Sequence, residues 1–381
     1  MRIKYSSMSI VVFITFCIYP QSWFQQSSGT SHQLNSVFFI NENIGWVVGI
    51  NGEFIKTTNG GANWIDMPQF TNRILTSVCF INENIGWATV YYNVGQIFKT
   101  TDGGYTWELQ HQTVFPGYFG IYYINADTGW AIYGENNYAK IMKSTNGGIN
   151  WYQVYIDSYA YRSLKGLFFL NSEIGWVVGD YKVLKSVDGG ENWTLTSTIG
   201  GTELQSICFV NDSIGWVSGS NGRILKTTDG GNLWIPQNSQ TTTNLFDIQF
   251  INENTGWAVG YGTILKTTDG GNNWIHSLSG FIHLSLFFID ENIGWVVGGG
   301  GTIFKTTDGG AIPVELLSFS AKFFENSVSL NWSTASELNN YGFEIERRDD
   351  KTEWRTVGFR EGKGTTQPSN RITVTQTISL E

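Results

Sequence analysis

A Gly-Trp pair recurs along the chain with its tryptophan at Trp46, Trp87, Trp130, Trp176, Trp216, Trp257 and Trp295, at intervals of 41, 43, 46, 40, 41 and 38 residues. A repeat of this length must be one supersecondary unit that buries its apolar face against its neighbours, which leaves few architectures open. The first unit reads as an apolar strand from Leu34 to Ile40, a turn from Asn41 to Ile44, a strand from Gly45 to Gly49 and a glycine turn. A strand from Phe54 to Thr58, a Gly60-Gly61 hairpin and a last strand led by Trp64 complete it. Four short strands per repeat, rich in β-branched residues and glycine turns, predict a propeller blade; helical repeats of similar period lack this alternation. Seven uninterrupted units predict an all-β, seven-bladed propeller.

Two positions in the first strand support that reading. Aligned on Ser36, the units carry Ser36, Ser77, Gly120, Gly166, Ser206, Asp247 and Ser285, small residues in six of seven cases, which suits strands crowding around an axis. Three residues later every unit has an aromatic: Phe39, Phe80, Tyr123, Phe169, Phe209, Phe250 and Phe288. These should pack between neighbouring blades, because apolar positions of period two in strands are normally buried. The last unit lacks a Trp-led strand after Thr306-Thr-Asp-Gly-Gly310, whereas Trp23-Phe-Gln-Gln-Ser27 is similar to Trp234-Ile-Pro-Gln-Asn238. The N-terminal strand is therefore expected to complete the last blade and to remove an exposed sheet edge.

The hairpins share a pattern typified by Thr100-Thr-Asp-Gly-Gly-Tyr-Thr-Trp107 and Thr267-Thr-Asp-Gly-Gly-Asn-Asn-Trp274. This resembles the Asp-box, or BNR, repeat. Together with the Gly-Trp strand it resembles the propeller of photosystem II stability and assembly factors over residues 23 to 311; similar repeats occur in exported bacterial proteins with no photosynthetic role. The box residues Asn59, Asp102, Asn146, Asp188, Asp229, Asp269 and Asp308 read as a turn device. Their side chains can accept hydrogen bonds from the following backbone amides, while the glycines tolerate positive φ. A metal or catalytic role suits them poorly, since the chemistry repeats in every unit and Asn substitutes twice.

Asp-box propellers also include sialidases and other glycoside hydrolases. Hydrolysis would need a carboxylate pair across the scissile bond, and a sialidase-like site an arginine cluster. The repeats hold only Arg73, Arg162 and Arg223, at unlike places, and His32, His111, His276 and His283 show no metal spacing. No catalytic residue, metal or cofactor is therefore assigned. The same shortage bears on the photosystem reading, because that family resembles a client-binding protein with an arginine-rich patch. In units two to four the loops away from the Asp-boxes lengthen and become aromatic, so a ligand site is expected at Tyr92, Tyr133, Tyr138, Tyr159, Tyr161, Arg162 and Asp180. Exposed tyrosines suit contact with a protein, peptide or glycan, although covering longer loops is the other reading.

The ends of the chain differ from the repeats. Arg2 and Lys4 precede the apolar run Ile10–Ile18, too short for a membrane span, so residues 1–22 read as a signal peptide and the protein as secreted or cell-surface. A buried N-terminal strand is the other reading of this run. With the leader removed no membrane span is expected. A net charge of −9 gives no basic stripe for nucleic acid, and a monomer is expected. Residues 312–381, with Val328-Ser-Leu-Asn-Trp332 and the stretch Thr334–Glu346, resemble part of a fibronectin type III-like module, an immunoglobulin-like β-domain found near the end of type IX secreted proteins. A whole sandwich needs about 100 residues, and Gln367–Glu381 does not match, so truncation or a reading-frame change is expected. Cys79 and Cys208, both at the Phe38-equivalent position, are expected to be free thiols, because units two and five of a ring lie too far apart for a disulfide.

Overall fold

In a computed structural model of the protein, the described residues are 11–16, 22–91, 94–114, 117–135, 138–157, 163–310, 315–324, 327–348, 355–366 and 372–379. They fall into two compact units, one spanning Trp23–Gly310 and the other drawn from residues 1–22 and 311–381.

Trp23–Gly310 is an all-β propeller. Its antiparallel sheets follow the repeat: Leu34–Phe39, Gly45–Gly49, Phe54–Thr57 and Ile65–Asp66 pair in chain order, and the next two repeats form four-stranded sheets in the same way. In two places the last strand of one repeat runs without a break into the first strand of the next, whereas Ile235–Gln237 and Leu245–Phe250 stay separate. Thr194–Phe209 pairs first with Gly175–Ser186 and then with Gly215–Gly219, and Ile275–Phe288 likewise joins Gly256–Thr267 to Gly294–Gly298. First strands of successive repeats lie side by side, and the cycle closes where Ile275–Phe288 meets Leu34–Phe39.

The Gly-Trp pair is the interlock of this ring. Each tryptophan is fully buried and stacks on the first-strand aromatic of the next repeat, as Trp46 does on Phe80 at 3.6 Å and Trp87 on Tyr123 at 3.5 Å. The same pairing joins Trp130 to Phe169, Trp176 to Phe209, Trp216 to Phe250 and Trp257 to Phe288, and Trp295 on Phe39 links the last repeat to the first. Such pairs contribute ~0.5–1.5 kcal/mol each beyond the area they bury. The glycine before each tryptophan leaves room for the aromatic of its own repeat. A Cβ on Gly45 would lie 2.5 Å from the Phe39 ring.

Each indole Nε1 also donates to a hairpin carbonyl of the next repeat, as Trp46 does to Gly103 O at 3.1 Å and Trp295 to Gly60 O at 3.3 Å. A lysine on the third strand covers the same ring. Lys56 Nζ is 5.1 Å from the Trp46 ring centre and donates to Gly103 O, and Lys305 holds the corresponding position over Trp295. Burial lowers the pKa of Lys56, Lys226 and Lys305, and brings that of Lys266 to about 8.

The chain start completes the last repeat. Phe24–Gln26 pairs antiparallel with Ile303–Lys305, Trp23 is buried with its ring edge-on to Phe288, and Gln26 reaches the first hairpin, donating to Gly60 O and accepting from Trp64 Nε1. Cys79 and Cys208 are buried free thiols. In the second unit the long strand Ser327–Arg348 pairs through its first part with Glu315–Phe324 and Ile372–Ser379. Its last part pairs with Arg355–Thr366 and with Val11–Phe16, a piece of the expected leader. The rest of that leader, apart from Ser22, lies outside the described residues.

Candidate functional site

The two ends of the strands are chemically unlike. At one end stand the Gly-Gly hairpins, where a hydroxyl that the sequence reading left unused anchors the turn. Thr100 Oγ1 donates to the Asp102 carboxylate at 2.8 Å and accepts from Gly104 N, while Asp102 accepts from Thr106 N. The arrangement recurs with Asn59, Asn146, Asp188, Asp229 and Asp269. Asp308 varies it by accepting from Gly310 N. Hydrogen bonds received from Thr106 and Asn192 hold the Asp102 and Asp188 carboxyls down at about 2. These groups are engaged in the turn, and among the described residues no group of three His, Cys, Asp or Glu could hold a metal ion. The signal that could have revealed the hydroxyl is its recurrence as Thr57, Thr100, Ser144, Ser186, Thr227, Thr267 and Thr306.

At the opposite end, the first strand of every repeat carries a bulge. The register slips between Leu34 and Ser36, Leu75 and Ser77, Tyr118 and Gly120, Leu164 and Gly166, Leu204 and Ser206, Leu245 and Asp247, and His283 and Ser285. The extra residues are Asn35, Thr76, Phe119, Lys165, Gln205, Phe246 and Leu284, all part-exposed. A bulge re-aims its extra side chain and ends regular pairing, so each repeat presents one variable residue on a constant frame. Asn35 donates to Leu75 O at 2.8 Å and Thr76 to Tyr118 O at 2.9 Å, tying neighbouring repeats.

In repeats two to four this rim becomes aromatic and cationic. The Tyr91 and Phe119 rings are 5.1 Å apart, and Lys165 Nζ lies 3.7 Å from the Phe119 ring centre. Lys165 is next to Leu164, which pairs with Gly179 at the start of the turn carrying exposed Tyr181. A second aromatic pair, Phe246 edge-on to Tyr261 at 4.9 Å, stands in repeat six. Asp247, beside it, accepts from Ser206 Oγ, Ile248 N and Leu286 N, and burial raises its pKa against those bonds.

The model of the family described as photosynthesis system II assembly factor YCF48 matches residues 18–118 and 162–240. The chain carries a YCF48-like β-propeller. A solved structure of YCF48 bound to a D1 peptide is similar to it with a TM-score of 0.64 and 20% identity, over 77% of this chain and 99% of that one. YCF48 from Cyanidioschyzon merolae gives 0.63 and 20%, over 75% and 98%. A glycoside hydrolase of family GH74 from Niastella koreensis shares the fold at 0.59 and 13% identity, over 91% and 69%. No curated protein sequence matches the chain.

On this YCF48-like frame the residues expected from sequence separate. Tyr92, Tyr159, Tyr161 and Arg162 lie outside the described residues, as does the Tyr138 side chain. Tyr133 corrects the expectation of exposure. It is 5% exposed because its ring packs 5.1 Å from buried Tyr118, with Lys140 over it. Asp180 is buried too and serves the turn, its carboxylate accepting from Ser163 N at 2.7 Å and Ser163 Oγ at 3.3 Å. The same repeats do carry a part-exposed run of Tyr91, Phe119 and Lys165 in contact, with exposed Tyr181 on the repeat that carries Lys165. Tyr91, and Tyr181 beside Asp180, lie in the loops singled out, whereas Phe119 and Lys165 do not, because a bulge leaves no mark in strand periodicity.

Proposed function

We propose that the protein is an exported, non-catalytic, seven-bladed propeller closed by its N-terminal strand, which binds peptide segments of other proteins on the rim from Tyr91 to Tyr181. The observation that carries this reading is the run of Tyr91, Phe119 and Lys165 in contact across three consecutive repeats. Rigid rings give contact area at little entropy cost, and a lysine beside them favours an acidic group on the ligand. The likeness to a YCF48 structure holding a D1 peptide supports a peptide over other ligands. The leader pattern at residues 1–22 supports export. The incomplete fibronectin type III-like reading of residues 312–381 stays with this proposal, as does a turn role for the Asp-box carboxylates.

The test is an array of random dodecapeptides and of glycans probed with the full chain and with Phe119→Ala and Lys165→Ala. Retention on acidic, aromatic-containing peptides is expected, and each substitution should weaken it by about 1–4 kcal/mol with folding intact. Retention only on glycans, or equal binding by both variants, would remove the reading. A photosystem role is the alternative; it requires selective retention of D1-type peptides. Glycan turnover would instead favour hydrolase chemistry.

A further inference from the structure

We infer that Tyr181 is a ligand-contact residue, held in a strained backbone conformation that keeps its side chain exposed on the repeat that also carries Lys165, and that its partner is an extended peptide with aromatic or apolar and acidic side chains. This rests on the peptide reading above and names the residue at the far end of the track.

The turns between second and third strands show why the fold alone does not explain Tyr181. Where such a turn enters the left-handed region, other repeats use Asn51 at φ 58°, Asn221 at 59°, Gly262 at 70° and Gly300 at 66°. Repeat four puts Tyr181 there at φ 64°. Asparagine and glycine adopt this conformation readily, whereas a bulky side chain is strained in it. Core burial does not offset that strain, because Tyr181 is 41% exposed.

The turn is nevertheless fixed firmly. Asp180 N donates to Ser163 O at 3.0 Å, and the buried Asp180 carboxylate accepts from Ser163 N and Oγ. This clamp joins the turn to the residue just before Leu164 and Lys165, so the Tyr181 ring stands at the same end of the repeat as the ammonium that covers Phe119. Strain retained at an exposed aromatic, on a turn that a carboxylate holds shut, is the pattern expected of a residue kept for contact rather than for stability. A peptide fits because the track crosses three repeats and alternates ring faces with a cation, which an extended chain with side chains of both kinds can follow.

The experiment compares the full chain with Tyr181→Gly, Tyr181→Asn and Tyr181→Phe, by thermal unfolding and on the dodecapeptide and glycan array. Gly and Asn should raise Tm by about 2 °C through relief of strain. They should also lower retention of the peptides that the unaltered chain holds by about tenfold or more, while Phe retains them. A lowered Tm in Tyr181→Gly would show that the ring supports the fold and would overturn the inference. So would unchanged retention by Tyr181→Gly on peptides that Phe119→Ala loses, which would leave the peptide reading standing. If the unaltered chain retains no peptide, both readings fall, and glycan retention lost in Tyr181→Gly would replace the peptide as partner.

Discussion

Replacing Trp23 or its neighbour Phe24 with alanine should give very different losses, although the two side chains are of similar character and adjacent in sequence. Trp23 is 3% exposed, lies edge-on to Phe288 at 6.0 Å and donates from Nε1 to Ser277 Oγ at 2.8 Å. Burying an indole removes about 200 Å² from water, worth about 5 kcal/mol at ~25 cal/mol/Å², and the edge contact adds about 1 kcal/mol. Ser277 keeps its bond to Gly310 O in the variant, so no buried hydroxyl is orphaned. Partial collapse of the site brings Trp23→Ala to about 3–5 kcal/mol. Phe24 faces outward at 43% exposure, and Phe24→Ala should cost under about 1 kcal/mol. In urea, with m near ~3 kcal/mol/M, the Trp23 variant should unfold about 1–1.7 M earlier and the Phe24 variant within about 0.3 M of the parent. Equal shifts, or a larger one for Phe24, would refute the closure argument. A slip of one residue in this strand exchanges the two faces, and absence from the ring makes both sites indifferent.

His283 should make the propeller sensitive to mild acid. Its ring is fully buried with neither nitrogen hydrogen-bonded among the described residues, against the rings of Phe281 and Phe304, and burial lowers its pKa from 6.5 to about 4. The unfolded chain binds this proton below pH 6.5 and the folded chain only below about 4, so stability should be level above 6.5 and fall between 6.5 and 4. His283→Leu, which installs the residue found at Leu34 and Leu245, should flatten denaturation midpoints across that window; an unchanged slope would show that His283 is not the cause. Cys79 and Cys208, whose pKa values burial raises to about 11 and about 12, should resist alkylation at pH 8 in the native protein and react in denaturant. Recovery of a Cys79–Cys208 disulfide peptide by mass spectrometry would contradict their observed burial as separate free thiols.

The sequence by itself determined the repeat, its strand order and its closure. Those properties follow from local chemistry that recurs: glycines at positive φ, a period of two within strands, and Trp23-Phe-Gln-Gln as the missing last strand. It also marked the aromatics from Phe39 to Phe288 as packing between repeats. Only the tertiary structure decided what each met: Trp295 finds Phe39, which is remote in sequence, and Lys305 covers that same indole. The candidate site was legible as a region and not as residues. Tyr133 looked exposed because its loop is long, yet the ring turns inward onto Tyr118, while Phe119 and Lys165 looked like ordinary strand positions. A bulge inserts one residue and redirects one side chain, and the turn carrying Tyr181 is tied by the Asp180 carboxylate to Ser163, 17 residues away. Both effects depend on which backbone groups meet across the sheet, information that exists only once the strands have paired.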